Sequence, residues 1–401
     1  MNAFEFRPRL WSNALLGIAQ ILVWGGSFFL LAVLADPVAK DTGWSRQWVY
    51  GALSLGIFVS ALLSPLMGRW VARHGGRGML GLSGLVIAAG LLVLACAPSL
   101  PVFLLGWLVI GSGMAIGLYD ALYAALGWQY GNEARGSITQ VTLISGFCTT
   151  ITWPLIAFLI EHLGWREACA AYAGLLVLVI WPIYAVSLPR GRGVPPEPPA
   201  KASTPGQTEA PDAKVFWLIT SSFTLASVIM TVVSVQLITL LQDRGLPLAA
   251  AIGVGALIGP AQVAARALDV LARKLHSVWA NAVSAGLVLL GLALITLNPG
   301  WAVVGILIYG AGSGIRSIVR GTLPLAIFGQ AAYAKALGRI ARPTLMAQAL
   351  TPLAAGYLID TQGALSTLLV MCGLCAINVL LALLLLPFRR AQGASSVSAD
   401  A

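Results

Sequence analysis

The sequence predicts an all-α membrane protein with twelve transmembrane helices arranged as two six-helix halves. Three observations support this fold class. The 401-residue chain is 58% hydrophobic and only 9% charged, and its mean hydropathy is +0.87. Its apolar residues form stretches long enough to cross a hydrocarbon layer of about 30 Å, which takes roughly 20 helical residues. The two halves of the chain also resemble each other.

An internal repeat divides the chain. Pro98 and the Gly-Ser-Gly run at 111–113 recur 201 positions later as Pro299 and the Gly-Ser-Gly run at 312–314. Residues 83–86 return in similar form at 285–288. Because this offset is about half of the chain length, we predict two similar halves in tandem.

Each half holds six apolar stretches, numbered here span 1 to span 12. We predict helices because backbone polar groups inside lipid must be hydrogen-bonded within their own segment. Span 1 is not predicted to be a removable signal peptide, since no small-residue cleavage site follows it. The predicted spans cover residues 13–35, 48–66, 79–97, 102–126, 137–160 and 168–187, then 215–241, 249–272, 278–297, 302–328, 340–359 and 366–386.

The distribution of Lys and Arg predicts the orientation. The N-terminus, the even-numbered loops and the C-terminus carry fifteen of these residues, and the odd-numbered loops carry four. This asymmetry predicts a multi-pass protein of the cell (inner) membrane with both termini in the cytosol. The net charge of +10 is then an orientation signal and an attraction to acidic lipids, and we predict no nucleic-acid partner.

The predicted domains follow the repeat. Residues 1–187 form the N-terminal six-helix bundle and residues 215–390 form the C-terminal one. Residues 188–214 are rich in Pro, Gly and Ser, which predicts a flexible cytosolic linker. Residues 391–401 are small and polar and are predicted to be a disordered tail. Nothing in the sequence requires more than a monomer.

The sequence contains no constellation typical of an enzyme. His74, His162 and His276 lie in loops or at span ends, and no phosphate-binding Gly-Lys-Ser/Thr motif occurs. The five cysteines fall inside predicted spans, where we interpret them as small buried hydrophobic residues. Cys372 and Cys375 form a C-x-x-C in span 12, and contact with a soft metalloid stays open. We predict no catalytic residues, no metal site and no cofactor.

A glycine-rich basic turn follows span 2. Residues 68–77 read Gly-Arg-Trp-Val-Ala-Arg-His-Gly-Gly-Arg. With six plus six helices and a long central linker, this turn resembles the major facilitator superfamily, and the resemblance covers almost the whole chain. In that family an Asp-Arg pair in the turn latches the cytosolic side, but Ala72 replaces the Asp here. The resemblance implies gating roles for Gly68, Arg69, Arg73, Gly75 and Arg77. It implies the same for Arg266 and Asp269, which belong to the degenerate second-half counterpart at the cytosolic end of span 8 and are spaced to meet each other.

Span 4 departs from the proton-coupled members of the family. Those members often carry an Arg four residues before a Gly-x-Gly, together with a Gln, and here Trp107 and Ile110 occupy the two positions. Span 1 holds no acid between residues 13 and 35. The usual drug/proton antiport residues are therefore missing.

A narrower resemblance lies ahead of span 2. Residues 41–46 read Asp-Thr-Gly-Trp-Ser-Arg, which is similar to the monocarboxylate and oxalate/formate porter branch. The alternative is that Trp44 and Trp48 serve only as anchors at the level of the lipid headgroups.

Ionisable residues inside the spans carry the functional argument, since each costs about 2.5 to 3.5 kcal/mol at a helix centre on insertion scales. Arg316 and Arg320 lie one turn apart on span 10, so their guanidinium groups could grip one anion. The alternative is that Arg320 snorkels to the headgroups or that either arginine pairs with Asp120 of span 4. Asp120 is thus a candidate proton carrier or a fixed counter-ion.

Neutral polar residues and aromatic rows supply further candidates for substrate binding, although such rows also serve packing alone. The remaining candidates are Gln20 and Trp24 in span 1, Tyr119 and Tyr123 beside Asp120 in span 4, and Gln236 in span 7.

We therefore predict a secondary carrier that works by alternating access around a midplane cavity lined by spans 1, 4, 7 and 10. Two arginines against Asp120 make this cavity net positive. That charge favours a small organic anion, a monocarboxylate or dicarboxylate, moved by proton symport or by exchange. The alternative is an efflux transporter for a drug or for a metalloid such as arsenite. The predicted partners are the small-molecule substrate, protons and the lipid bilayer.

Overall fold

The protein is helical throughout the part that a computed structural model describes, namely residues 10–130, 134–188, 213–272 and 277–388. These residues contain no strand, so the predicted all-α class is confirmed. The predicted linker at 188–214 and tail at 391–401 lie almost entirely outside the described residues.

Nine helices precede the linker in the residues that the structure describes. They are α1 (Leu10–Gly25), α2 (Leu31–Thr42), α3 (Arg46–His74), α4 (Arg77–Ala95), α5 (Leu100–Gly117), α6 (Tyr119–Tyr130), α7 (Ala134–Ser145), α8 (Cys148–Leu163) and α9 (Trp165–Ser187).

The helices after the linker are fewer and include one very long one. They are α10 (Ala213–Asp243), α11 (Leu248–Ala256), α12 (Ile258–Ala272), α13 (Ser277–Leu297) and α14 (Ala302–Leu384), with a short 3-10 turn at Pro299–Trp301.

Ten helical stretches among the described residues are long and apolar enough to cross a membrane. Nine of them correspond one to one to spans 2–10, and the stretch Arg342–Phe388 holds both span 11 and span 12. Gly363 lies between these two spans, and its φ of +79° is a conformation that side-chain-bearing residues rarely adopt.

Span 1 is not the continuous helix that the sequence predicts. The helix stops at Gly25 and resumes at Leu31, and i→i+3 hydrogen bonds such as the one from Leu30 N to Ser27 O (3.1 Å) tighten the connection. Tyr172 of α9 packs so closely here that a Cβ on Gly26 would lie 2.7 Å from its ring. Two glycines in a row thus let α9 approach and weaken the helix at the same point.

Span 4 is also interrupted, at Leu118, whose ψ of −178° ends α5. The side-chain amide of Gln20 donates to Gly117 O at 2.8 Å and so satisfies a carbonyl of the last turn. Asp120 therefore lies in the first turn of α6, where the helix dipole favours a carboxylate, and not in mid-helix as predicted.

The predicted turn after span 2 begins later than expected. Helix α3 continues past residue 66 as far as His74. It ends at Gly75, whose φ is +77° and whose N–H donates to Val71 O at 2.9 Å. A helix can extend beyond the hydrocarbon layer when its basic residues reach the lipid headgroups. The length of the apolar stretch therefore underestimates the length of α3.

The internal repeat reappears as a repeated glycine contact. A Cβ on Gly90 of α4 would lie 2.9 Å from Gly106 O of α5, and a Cβ on Gly291 of α13 would lie 2.5 Å from Gly305 O of α14. Gly291 is the residue 201 positions after Gly90. Side chains are excluded at both places because the two backbones touch.

The described residues group into two compact units that differ from the predicted halves. The first unit contains α1–α9 together with Ser234–Thr239 and Ala349–Asp360, and the second unit contains the other described residues after the linker. Two short segments of the predicted second half thus belong to the first unit.

Polar contacts attach the segment Ser234–Thr239 to the first unit. Arg46 Nε lies 3.1 Å from Asp36 Oδ1, and Thr239 Oγ1 donates to Asp36 Oδ2 at 3.3 Å. Tyr50 OH lies 2.7 Å from Thr239 Oγ1 and, because that hydroxyl already donates to Asp36, Tyr50 is the donor.

A second set of contacts attaches Ala349–Asp360. Asp360 Oδ2 accepts a hydrogen bond from the backbone N–H of Gln47 at 3.0 Å, and Ser54 Oγ accepts one from Leu353 N at 3.0 Å. Gln47 is the second residue of α3, so Asp360 caps the N-terminus of that helix from a distant part of the chain.

Candidate functional site

The first candidate site lies in the second unit and is built around Arg316 of α14. The Gly-Ser-Gly run precedes it by one turn, and its glycines bring neighbouring helices close. A Cβ on Gly312 would lie 2.8 Å from Ser284 O of α13, and a Cβ on Gly314 would lie 2.5 Å from Gln262 O of α12. Ser284 Oγ donates to Gly312 O at 2.8 Å. Arg316 is thus carried by a tightly packed group of three helices.

The guanidinium of the half-buried Arg316 is held by neutral groups. Its Nη1 donates to Asn281 Oδ1 at 3.1 Å, and its Nη2 donates to Ser222 O at 2.7 Å. The guanidinium carbon lies 5.3 Å from the centre of the Phe223 ring. In the described part of the chain no carboxylate lies within ion-pair distance of this arginine.

A small cavity adjoins Arg316. Its apolar wall comes from α10 and α13, and its polar lining consists of Ser284, Tyr309, Ser313, Asn378 and Arg316. The amide Nδ2 of Asn281, a residue with 0% exposure, has no hydrogen-bond partner among the residues described. The site therefore offers N–H and O–H donors around a fixed positive charge.

Two other residues predicted to bind substrate, Arg320 and Gln236, lie in different surroundings from Arg316. Arg320, one turn further along α14, is exposed, so the two arginines do not share one buried environment. Gln236 is 0% exposed and its Nε2 donates to Pro352 O at 3.2 Å. Gln236 belongs to the first unit, whereas Arg316 belongs to the second.

Arg266 is linked to the Arg316 cavity through Gln262. Arg266 Nη2 lies 3.3 Å from Gln262 Oε1, and Gln262 Nε2 donates to Ser313 Oγ at 3.2 Å. Ser313 lines the cavity. The side chain of Asp269, the predicted partner of Arg266, lies outside the described residues.

The second candidate site is an aromatic row in the first unit. The Trp24 and Tyr119 rings lie 4.9 Å apart at 45°, and the Tyr119 and Tyr123 rings stack 5.3 Å apart at 15°. All three side chains are half-buried. Asp120 follows Tyr119 on α6 and is exposed. We name these four residues the aromatic platform.

Hydrogen bonds hold the polar edges of the platform rings. Tyr119 OH lies 2.6 Å from Ser145 Oγ and Tyr123 OH lies 2.8 Å from Thr142 Oγ1, both on α7. Trp24 Nε1 donates to Gln20 Oε1 at 3.1 Å.

Gln20 has a structural role that the sequence did not indicate. It is 0% exposed, and its Nε2 donates to Gly117 O at 2.8 Å and to Tyr184 OH at 3.0 Å. Its Oε1 accepts the bond from Trp24. Both polar atoms of this side chain are therefore hydrogen-bonded within the first unit. Gln20 therefore supports the platform and does not offer a free group to a ligand.

The basic turn between α3 and α4 is described in part. Arg73 is exposed, and Arg77 Nη2 donates to Ala185 O of α9. A Cβ on Gly75 would lie 2.9 Å from the Trp128 ring, so this glycine is required for packing as well as for its positive φ. The surroundings of Gly68 and the side chain of Arg69 lie outside what the structure describes.

The residues of the narrower resemblance ahead of span 2 make structural contacts. Asp41 Oδ2 accepts hydrogen bonds from Trp165 Nε1 at 2.9 Å and from Arg166 Nη1. The hydrogen bond from Trp165, followed by that from Arg166, lowers the pKa of the Asp41 carboxyl below its usual value. The Trp44 and Phe103 rings lie 5.5 Å apart. This motif therefore joins α2 to α5 and α9.

Sequence reasoning missed several functional neighbours. Asn281 and the Ser222 carbonyl hold Arg316, and Asp36 and Asp360 attach distant segments to the first unit. Asn281 could have been found as a lone amide in an otherwise apolar span. A backbone carbonyl carries no signal in the sequence.

Comparison with known proteins identifies the fold. The sequence profile of the Major Facilitator Superfamily matches residues 16–319. No curated protein matches the chain in sequence.

Several solved transporters have a similar fold. A bacterial homologue of the human lysosomal transporter Spinster, inward-facing and occupied, is 13% identical with a TM-score of 0.71 over 96% of this chain and 98% of that one. A variant of the peptide transporter POT in complex with alafosfalin is 13% identical, with a TM-score of 0.74 over 96% of each chain. A POT family transporter in complex with 5-aminolevulinic acid is 14% identical, with a TM-score of 0.73 over 96% and 97%.

Proposed function

We propose, from the premise that the chain belongs to the major facilitator superfamily, that it carries a small organic anion across the membrane. Membership makes it a multi-pass membrane transporter and not an enzyme. The proposed cargo is a monocarboxylate or dicarboxylate, moved by alternating access with proton symport or exchange. Residues 1–187 and 215–390 are the proposed halves, and a monomer is sufficient.

The observation that carries this proposal is the positive charge of Arg316. It lies inside a membrane-spanning stretch, and only neutral groups hold it in the described part of the chain. A charged side chain inside a membrane span is costly unless it has a partner. A carboxylate on the substrate would supply that opposite charge.

Neutral partners explain how Arg316 is oriented before a substrate arrives. Hydrogen bonds to a charged group contribute about 1.5 to 3 kcal/mol each, and a cation–π contact adds about 0.5 to 2 kcal/mol. Two nitrogens each donate one bond, and a guanidinium has five N–H groups. Further donors therefore remain for a carboxylate.

The two proposed roles of the other charged residues follow from their exposure. We assign substrate binding to Arg316, with Arg320 attracting anions from its exposed position. Arg266, linked to the cavity through Gln262, is assigned to gating together with the basic turn of Arg73 and Arg77.

The proposed orientation keeps both termini in the cytosol of the inner membrane. Two of the four basic residues in the odd-numbered loops are ion-paired, Arg46 with Asp36 and Arg166 with Asp41. The proposed orientation rests on the count of Lys and Arg, fifteen against four, because this count and not the net charge sets the orientation.

A thermal-shift experiment on the full chain in detergent tests the anion site. Butyrate and succinate are compared with neutral butyramide, on the native protein and on Arg316→Gln, with Arg320→Gln as the exposed control. A ligand that binds the folded state raises its melting temperature with concentration. We expect stabilisation by an anion that Arg316→Gln abolishes and that Arg320→Gln retains at least in part.

Transport then separates the coupling modes. Uptake of labelled butyrate into proteoliposomes that depends on an imposed proton gradient indicates symport, and uptake that requires internal anion indicates exchange. Stabilisation by butyramide that survives Arg316→Gln, with no response to either anion, would overturn the proposal and favour the efflux alternative.

A further inference from the structure

Two arginines of the second unit fix the orientation of two side-chain amides. Arg266 Nη2 donates to Gln262 Oε1 at 3.3 Å, and Arg316 Nη1 donates to Asn281 Oδ1 at 3.1 Å. A guanidinium has no acceptor, so the amide atom that faces it must be the oxygen. The NH₂ groups of Gln262 and Asn281 are therefore the parts of these amides that remain for other partners. All four residues belong to the second unit.

The orientation of Gln262 sets the direction of a hydrogen bond in the cavity wall. Its Nε2 donates to Ser313 Oγ at 3.2 Å, so Ser313 is the acceptor in this bond. A hydroxyl that accepts in one bond keeps its own proton for another. Ser313 and Tyr309 both line the cavity, and the proton of Ser313 is available there, either directly or through the Tyr309 hydroxyl. Arg266, acting through Gln262, thus makes the hydroxyl of Ser313 a donor to the cavity.

Two asparagines add further N–H donors. Asn378 lines the cavity, and its Oδ1 accepts a hydrogen bond from Ser222 Oγ at 2.8 Å, which leaves its NH₂ group for the cavity. Asn281 is 0% exposed, and its Nδ2 has no hydrogen-bond partner among the residues described. This unpartnered NH₂ belongs to the same amide that holds Arg316, so it lies beside the guanidinium.

Ser284 is an exception among the lining residues. Its hydroxyl donates to Gly312 O at 2.8 Å, so its oxygen offers lone pairs to the cavity. This acceptor stands against the donors of Arg316, Asn281, Asn378 and Ser313. Because donors outnumber acceptors, a well-matched ligand brings more acceptors than donors.

We propose that this cavity selects a carboxylate with a second acceptor beside it, namely a 2-oxo acid, and that Gln262 is the positioning residue that sets this selectivity. The carboxylate faces Arg316, and the neighbouring carbonyl oxygen accepts from the surrounding N–H and O–H donors. A 2-hydroxy acid of the same size brings an additional O–H donor into a site with few acceptors, and a buried donor without a partner is costly. This inference rests on the proposed function, because it specifies the acid that Arg316 binds.

Three matched acids test the selectivity. Pyruvate, lactate and propionate have the same number of carbons and differ at the second carbon, which carries a carbonyl, a hydroxyl or no polar group. Each has a single negative charge at neutral pH, so the ratio of two affinities is insensitive to charge. Each is titrated against the full chain in detergent, and apparent affinity is read from the concentration dependence of the melting temperature.

The substitution Gln262→Glu reverses the hydrogen bond at Ser313. The new carboxylate lies one turn before Arg266, a spacing that favours an ion pair, and an ionised carboxylate only accepts hydrogen bonds. Ser313 must then donate to residue 262 and present its lone pairs to the cavity. Gln242→Glu is the matched control, because Gln242 is also a half-buried glutamine and lies outside the cavity lining.

We expect the native protein to bind pyruvate about tenfold more tightly than lactate, since one unsatisfied hydrogen-bonding group has an effect of about this size. Pyruvate should also bind more tightly than propionate, which leaves a donor of the cavity unused. Gln262→Glu should lower the ratio of pyruvate affinity to lactate affinity to about one or below. Gln242→Glu should keep the ratio of the native protein.

Two outcomes would overturn the inference and leave the proposed function intact. One is that the native protein binds all three acids with equal affinity. The other is that Gln262→Glu keeps the native ratio of pyruvate to lactate affinity. The first comparison needs no variant, so it decides the matter even where Gln262→Glu fails to fold. Failure of the proposed function looks different, because the native protein would then respond to none of the three acids.

Discussion

Replacing Gln20 by Leu tests whether this side chain is part of the fold or part of a ligand site. Leucine has a similar volume and no polar atoms. The substitution removes the acceptor for Trp24 Nε1 and the donor to Gly117 O and Tyr184 OH. Of these three bonds, the one to Gly117 O satisfies a carbonyl at the interruption between α5 and α6.

The size of the effect follows from three lost hydrogen bonds. Measured bonds between transmembrane helices average about 0.6 kcal/mol and reach about 1.7 kcal/mol. Three of them amount to about 2 to 5 kcal/mol, and the upper part of that range applies because Gln20 has no exposed surface. Hydrophobic gain from the leucine is small, since the site is already closed to solvent.

Reversible unfolding in mixed micelles, measured by tryptophan fluorescence, gives the free energy of unfolding. Trp24→Phe removes only one of the three bonds and should lose about a third as much stability. At a temperature where Gln20→Leu is folded, its affinity for butyrate should equal that of the native protein. A loss of affinity without a loss of stability would refute the structural role of Gln20.

Three other predictions concern helix contacts and helix ends. Gly111→Ala should destabilise the protein by about 1 to 3 kcal/mol through overpacking, because its Cβ would lie 2.3 Å from a backbone oxygen of α3. Asp360→Ala removes a cap from the N-terminus of α3 and should cost about 0.5 to 2 kcal/mol. Asp41→Asn should lower the melting temperature above about pH 4. The difference from the native protein should vanish as the pH falls through the lowered pKa of Asp41. A carboxyl whose pKa is lower in the folded state stabilises the fold only while it is charged.

Each of these predictions has a control. A Cβ on Gly78 meets nothing within 4 Å, so Gly78→Ala should not destabilise. Asp360→Asn keeps an oxygen acceptor and should retain most of the cap. A pH-independent effect of Asp41→Asn, or equal effects of the alanine and asparagine variants at residue 360, would contradict the reasoning.

The membrane spans could be predicted from the sequence because bilayer thickness fixes the length of an apolar helix. Spans 2–10 correspond one to one to helical stretches. The interruptions at residues 26–30 and at Leu118 could not be predicted, because the contacts made there come from Tyr172 and Gln20, which are distant in sequence. The end of α3 at His74 was not predicted, because the basic residues after residue 66 interrupt the apolar pattern although the helix continues.

The candidate site was predictable only in its charged residues. Arg316 stands out as a charge in an apolar run, and Asp120 stands out for the same reason. Their surroundings depend on tertiary contacts, so neither the neutral partners of Arg316 nor the exposure of Arg320 could be read from spacing. Asp360 directly follows predicted span 11, and its contact with Gln47, 313 positions away, leaves no signal in the sequence.

The capping of α3 by Asp360 also affects the order of events during synthesis. Gln47 emerges from the ribosome 313 residues before its partner, which at roughly 5 to 20 residues per second is a delay of about 15 to 60 s. During that time α1–α9 are inserted without the two segments that complete their unit. The nascent first unit therefore presents an unfinished surface, and its final stability is gained only when nearly the whole chain has been made.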